Sequence, residues 1–212
     1  MKQLVYGVDL AKSVFQIHSM DTRGKALVRK QIYRADMKRY FANIPKAIVA
    51  MEACSGAHYW GRVFRNIGHE VRLISPQFVK PYVKSNKNDM ADAEAIAEAA
   101  TRPGMRFVAV KEVKQQDIML IHRVRERLVR NRTALMNEIR GFLHEYGIVF
   151  PKGERYLKSG LLKLFGDDCS ELSDDTRNEI MELYEELVWL DERIDKMDLK
   201  IKRLYQGSEV CR

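Results

Sequence analysis

The sequence predicts an α/β domain followed by a domain built of long helices. Up to about residue 112, short apolar runs rich in β-branched residues alternate with helical segments. Beyond that point, apolar residues recur at helical spacing over long stretches. Of the 212 residues, 46% are hydrophobic and 31% are charged, a balance that excludes a disordered chain and a membrane protein.

The first domain starts with strands over residues 4–9, 14–20 and 26–32, which form an antiparallel meander with a turn at 21–25. The following segments alternate: a helix over 35–44, a strand over 47–52, a helix over 55–67, a strand over 70–74, a helix from residue 76, a helix over 89–101 and a last strand over 106–110. This order is that of the ribonuclease H-like fold, in which helices flank a mixed sheet.

Two long helices are predicted for the second domain. The first covers residues 116–146, an irregular Gly/Lys-rich linker follows to about residue 173, and the second helix covers 174–205. The apolar positions of the second helix are spaced alternately by three and four residues: Ile180, Leu183, Leu187, Leu190, Ile194, Met197, Ile201 and Leu204. This heptad seam predicts a coiled coil, which either packs within the chain or, as its length and acidic flank favour, joins copies of the chain.

Cysteine usage and the N-terminus bear on the compartment. Cys54, Cys169 and Cys211 are widely spaced without a Cys-x-x-Cys pattern, so we predict neither a disulfide framework nor a structural zinc site. No signal-peptide pattern opens the sequence, and no apolar run has the length of a membrane span. The expected location is the cytoplasm.

Four acidic residues occupy positions that a fold of this class can bring together. Asp9 and Glu52 end two apolar strands, while Asp89 and Asp92 lie three residues apart and share one helix face. Taken alone, the latter two are ordinary helix-start residues that cap the first turn and suit its dipole. Four converging carboxylates repel one another unless cations neutralise them, and oxygen ligands suit Mg²⁺ or Mn²⁺. We therefore predict that all four are metal ligands, around two ions that stabilise an in-line phosphoryl transfer.

Basic residues dominate most of the chain. Residues 1–166 hold 30 Lys/Arg and 15 Asp/Glu, whereas residues 167–195 hold 2 and 12, so the basic body favours a polyanionic partner. Candidate phosphate contacts are three lysines near the acids and a series of arginines in the first long helix: Lys12, Lys84, Lys87, Arg123, Arg125, Arg127, Arg130 and Arg132. The alternative is that the lysines balance the acids and the arginines form a solvated helix face.

The acids lie in three motifs: Gly7-Val8-Asp9-Leu10-Ala11-Lys12, Met51-Glu52-Ala53-Cys54-Ser55-Gly56 and Lys87-Asn88-Asp89-x-x-Asp92-Ala93. With these motifs, essentially the whole chain resembles the DEDD transposases of the insertion-sequence-110 family, which includes Piv-type DNA invertases and bridge-RNA-guided recombinases. The resemblance implies a metal-dependent DNA transposase or site-specific recombinase, with the four acids at the DEDD positions. It also implies DNA, a structured guide RNA and further copies of the chain, as a dimer or tetramer, as partners.

The same resemblance implies a RuvC-like catalytic domain over residues 1–112, a helical coiled-coil domain over 113–207 and the start of a linker over 208–212. Family members continue into a domain with a serine nucleophile, and we expect this polypeptide alone not to recombine DNA. The serines that would have to replace that nucleophile read as loop or cap residues: Ser159, Ser170, Ser173 and Ser208.

Two functional classes remain open at this point. The chain is either the metal-dependent half of a recombinase or a non-catalytic fragment that binds nucleic acid and oligomerises; a structure-selective nuclease is a third, weaker alternative. Stabilisation by Mg²⁺ or Mn²⁺ distinguishes the first class from the second.

Overall fold

The structure, a computed structural model, describes residues 4–21, 25–83, 89–166 and 172–206, with the backbone alone at positions 89 and 90. The chain divides into two compact units, residues 1–112 and 113–212. Over the described ranges, no helix carries an apolar stretch of the length that a membrane span requires.

A mixed sheet of six strands forms the centre of the first unit. The strands are β1 (Val5–Asp9), β2 (Val14–Met20), β3 (Ala26–Tyr33), β4 (Ile48–Glu52), β5 (Glu70–Ile74) and β6 (Phe107–Val108). Across the sheet they are ordered β3-β2-β1-β4-β5-β6. Strands β1, β4 and β5 are parallel, and β2, β3 and β6 are antiparallel to their neighbours. The predicted α/β class and the antiparallel meander are thus confirmed.

Helices cover the two faces of this sheet. They are α1 (Met37–Ala42), α2 (Ala57–Ile67), α3 (Pro76–Val79) with a 3₁₀ turn at Lys80–Tyr82, and α4 (Asp89–Thr101). Large aromatic side chains fill the space beside α1 and α2, where Phe15, Phe41 and Phe64 are fully buried. The face beneath α4 instead meets small residues of that helix, because five of its alanines are buried. This difference lets α4 approach the sheet closely.

The second unit consists of α5 (Val113–Glu145), α6 (Glu154–Gly166) and α7 (Asp174–Gln206). Arg125 of α5 pairs with Asp198 of α7, and Arg132, two turns later in α5, pairs with Asp191, two turns earlier in α7. The two helices are therefore antiparallel. The seam of α7 packs in one cluster with α5, through Ile180, Leu187, Leu190, Ile194 and Met197 on α7 and Leu128, Leu135, Ile139 and Leu143 on α5. The heptad seam is therefore covered from within the chain.

Two details of the helical prediction were wrong. Helix α6 occupies a large part of the predicted irregular linker, because Leu157 and Leu161 lie one turn apart and are both fully buried. The glycine at its centre is needed for packing, since a Cβ on Gly160 would lie 2.3 Å from the ring of Phe150. In the first long helix, the helical spacing of apolar residues also predicts that Phe142 is buried, whereas in α5 Phe142 is 48% exposed and its neighbour Leu143 is fully buried.

Candidate active site

Asp9 and Glu52 end adjacent parallel strands. Val8 of β1 pairs with Met51 of β4, and the next residue along each strand is the acid, Asp9 or Glu52. Side chains alternate between the two faces of a strand, so Asp9 shares its face with Gly7, and Glu52 shares its face with Ala50. Both acids are half-buried. The two carboxylates therefore lie side by side at one edge of the sheet and on one face.

Helix α4 crosses that same face. A Cβ on Gly7 would lie 2.1 Å from the carbonyl oxygen of Ala93 and 2.6 Å from the amide nitrogen of Ala97, so the strand and helix backbones are in contact here. Asp92 is the residue before Ala93, the first of these two contact residues of α4. The contact therefore holds the first turns of α4 over the sheet edge where Asp9 and Glu52 end their strands.

The electrostatics of the site reflect this convergence. Burial, and after it the charge of Asp92, raise the pKa of the Glu52 carboxyl. Burial also raises the pKa of the Cys54 thiol, and the charges of Glu52 and Asp9 raise it further. The charge of Asp92 thus reaches Glu52, and the charges of Glu52 and Asp9 both reach Cys54. Like charges at this range disfavour full ionisation, and a cation among them would relieve the repulsion.

The fourth predicted acid is only partly described. The backbone of Asp89 begins α4, while its side chain and the loop lysines Lys84 and Lys87 lie outside the described residues. Among the side chains that are described, no three of the His, Cys, Asp and Glu type are clustered closely enough to hold one ion. Asp9 and Glu52 end adjacent strands and Asp92 acts electrostatically on Glu52, but they do not form such a cluster, and the assignment of all four acids to metal ions stays a prediction.

The arginines of α5 separate into two groups. Arg125 and Arg132 face α7, where the first pairs with Asp198 and the second donates to Asp191 at 3.0 Å and lies 3.1 Å from Glu154. Arg123, Arg127 and Arg130 are exposed, and their spacing of four and three residues aligns them on one face of the helix. Lys12 is exposed as well. Nucleic-acid binding by these basic residues stays a prediction.

Of the serines that read as loop or cap residues, two are described. Ser173 precedes α7 and its hydroxyl accepts a hydrogen bond from the amide of Thr176 at 3.2 Å, which confirms a helix cap. Ser159 lies within α6 and donates to the carbonyl oxygen of Tyr156, so its assignment to a loop was wrong. Ser170 and Ser208 lie outside the described residues.

One polar residue beside the predicted acids is not among the residues that the sequence singled out. Gln16 is the partner of Asp9 across β1 and β2 and is buried, with 7% of its surface exposed. The sequence feature that could have identified Gln16 is the predicted meander, which pairs the end of the first strand, at Asp9, with the start of the second. A glutamine in a strand of alternating apolar and polar residues does not by itself indicate a functional residue.

Comparisons with known proteins agree on one family. The family model for DEDD transposases of insertion sequence 110, described as a transposase, matches residues 6–148. The chain is 46% identical over 203 residues to the "Probable family 20 transposase" of Pseudomonas aeruginosa, covering 95% of this chain and 60% of that protein. It is 43% identical over 207 residues to the transposase of the element IS1111A from Coxiella burnetii, covering 98% and 57%. A transposase of the element IS1328 from Yersinia enterocolitica is 48% identical over 152 residues, 72% of this chain and 46% of the relative.

Proposed function

The chain belongs to the DEDD transposase family of insertion sequence 110, and from this premise we propose that its first unit supplies the metal-binding half of a DNA transposase active site. The carrying observation is that Asp9 and Glu52 end adjacent parallel strands on one face of the sheet, and that α4 contacts the same face at Ala93, the residue after Asp92. The strand order supports a RuvC-like, ribonuclease H-like domain. Because the chain spans about three-fifths of the length of its first two relatives, recombination is proposed for the whole protein.

The donor chemistry fits Mg²⁺ or Mn²⁺, since the candidate ligands are carboxylate oxygens and hard divalent cations prefer oxygen. Asp9, Glu52 and Asp92 would hold the cations, with Asp89 one turn before Asp92 on the same helix face. When bound, such ions stabilise the attacking and leaving oxygens of a phosphoryl transfer. The protein's own contribution is to hold its acids at the edge of the sheet. Burial and, after it, the charge of Asp92 raise the pKa of Glu52 there, and a cation would relieve the repulsion between the two carboxylates.

Thermal unfolding with and without Mn²⁺ tests this proposal on the chain as it exists. At a free concentration one hundred times Kd, a bound cation stabilises the folded state by about 2.7 kcal/mol. Asp92→Asn should abolish this gain, and in EDTA it should raise the midpoint because it relieves repulsion on Glu52. Glu98→Gln is the matched control: it removes a charge from the same helix, about 9 Å further along its axis, and should retain the gain. A wild type whose midpoint ignores both Mn²⁺ and Mg²⁺ would overturn the proposal.

A second candidate function is binding of structured guide RNA or DNA by the helical unit, and it does not require a metal site. The observation that favours it is the exposed row Arg123, Arg127 and Arg130, for which the described residues include no ion pair. Guanidinium groups suit forked contacts with phosphates. The row lies on α5, away from the acidic helix α7, and its spacing of four and three residues matches one helix face.

Salt titrations of RNA and DNA binding test this second candidate. Each phosphate contact contributes about 0.7 to 0.9 to the slope of log K against log salt. Replacing all three arginines by alanine should therefore lower the slope by about 2 to 3. The control replaces Lys196, Lys200 and Arg203 of α7, which are also exposed and share the same spacing. Equal losses in the two triple variants would refute a defined arginine surface.

We also propose self-association of the helical unit, as a dimer or tetramer. Because α5 covers the heptad seam, a second copy would contact apolar side chains that remain exposed, such as Val188, Trp189 and Leu199 of α7, which are 36%, 50% and 56% exposed. Light scattering on Trp189→Ser measures this directly: an oligomeric wild type and a smaller variant are expected. A monomeric wild type at high concentration would contradict the proposal.

A further inference from the structure

Gln16 presents an unusual combination of burial and an unsatisfied polar atom. The residue lies in β2, only 7% of its surface is exposed, and its Oε1 has no hydrogen-bond partner among the described residues. Buried polar side-chain atoms in folded proteins are, with few exceptions, hydrogen-bonded, and an exception calls for an explanation. Its neighbours on the sheet suggest one.

The register puts Gln16 directly beside the acidic site. Gln16 pairs with Asp9 across the antiparallel strands β2 and β1, and residues paired in this way extend their side chains on the same face, about 5 Å apart at Cβ. Glu52 lies on the other side of Asp9, in β4, on that same face. Three neighbouring strands therefore carry an amide, a carboxylate and a carboxylate in a row at one sheet edge.

We propose that the amide oxygen of Gln16 is a neutral ligand of the divalent cation held by Asp9 and its acidic neighbours. The inference rests on the proposed metal site and names a residue outside the four acids. Amide oxygens are normal ligands of hard divalent cations. A neutral oxygen adds a ligand without adding a further negative charge to a site whose carboxylates already repel one another. The cation would then supply the partner that Oε1 lacks among the described residues.

Gln16→Met tests the inference, because methionine keeps the length of the side chain and removes its amide. Mn²⁺ affinity is measured by electron paramagnetic resonance of the free ion, alongside the unfolding midpoint in EDTA. We expect the Kd for Mn²⁺ to rise about 10-fold or more, the usual effect of removing a partner from a metal site. The unfolding midpoint in EDTA should stay equal or increase. The matched control is Gln31→Met, since Gln31 is the next residue across the sheet from Gln16, is exposed, and lies one strand further from Asp9. Its Kd should equal that of the wild type.

A second variant keeps the test decisive if Gln16→Met folds poorly. Gln16→Glu retains an oxygen and adds a charge, so it should lower the midpoint in EDTA and enlarge the rise that Mn²⁺ produces. A smaller rise than in the wild type would overturn the inference. A wild-type Mn²⁺ response that Gln16→Met leaves intact overturns the role of Gln16 alone, whereas a wild type that binds no Mn²⁺ overturns the metal site and this inference together.

Discussion

Gly7→Ala should displace α4 from the sheet. The new Cβ would lie 2.1 Å from the carbonyl oxygen of Ala93, 2.6 Å from the amide nitrogen of Ala97 and 2.8 Å from the Cβ of Ala97. None of these atoms can move by a rotamer change. A carbon–oxygen contact is normally no shorter than about 3.3 Å, so the helix has to retreat by about 1.2 Å.

The size of the effect follows from this geometry. Overpacking a core costs about 1–3 kcal/mol, and we expect about 3 kcal/mol because the obstacle is backbone. For a unit of this size, that loss lowers the thermal midpoint by roughly 13 °C. The retreat would also carry Asp92 away from Glu52 and weaken any response to Mn²⁺. Circular dichroism melting and urea titration, in EDTA and in Mn²⁺, measure both consequences.

Gly61→Ala provides a control within the same unit. Its Cβ would meet the methyl groups of Val110 at 3.0 and 3.1 Å, which can yield by a small side-chain adjustment, and a methyl group of Val71 at an ordinary contact distance of 3.5 Å. The better helix propensity of alanine, about 0.5–1 kcal/mol, offsets that adjustment, so the midpoint should hardly change. If Gly7→Ala melted within 2 °C of the wild type, the close contact between β1 and α4 would not hold the site as argued.

Three further predictions concern charge and helix packing. Because burial and the charge of Asp92 raise the pKa of Glu52, the folded state binds this proton more tightly than the unfolded chain does. The free energy of unfolding should therefore fall as the pH rises from the ordinary glutamate range through the raised pKa. Urea titrations in EDTA measure this fall, and Glu52→Gln should remove it. Asp191→Ala should cost about 1–2 kcal/mol, since it deprives Arg132 and Lys158 of a shared acid that is 18% exposed, whereas the exposed Asp195→Ala on the same helix should change stability by less than about 0.5 kcal/mol in urea titrations. Gly141→Ala meets nothing within 4 Å inside α5 and should stabilise the helical unit by about 0.5–1 kcal/mol; a lower melting point would contradict that open environment.

The sequence predicted the elements of the sheet better than those of the helical unit, and the reason is local. The strands are recognisable from their β-branched residues and from the turns that follow them. Similarly, Gly68 ends α2 in a left-handed conformation, with φ at 103°, that glycine adopts freely. Helix α6 was missed because its glycines and lysines resemble a linker. Its stability comes from Leu157 and Leu161, which find their partners only in the folded unit.

The candidate site shows the same division. Spacing alone indicated that Asp89 and Asp92 share a helix face, and strand ends indicated Asp9 and Glu52. The role suggested for Gln16 could not be predicted in this way, because it depends on which residue of β2 pairs with Asp9. A register shift of one residue would have turned that side chain to the opposite face. Similarly, periodicity identified the seam of α7 but could not tell whether α5 or a second copy covers it.

The contact between Gly7 and α4 sets the geometry of the site together with the acids. Catalytic groups have to be held within about 0.5 Å of their working positions. Alanine and glycine side chains have no rotamers, so an interface made of Gly7, Ala93 and Ala97 is fixed by backbone contact and loses no side-chain entropy when it forms. A helix that packed through leucines could settle at several distances from the sheet. The alanine-rich composition of α4, which in the sequence resembles an ordinary helix, is on this argument what fixes the distance of Asp92 from Glu52.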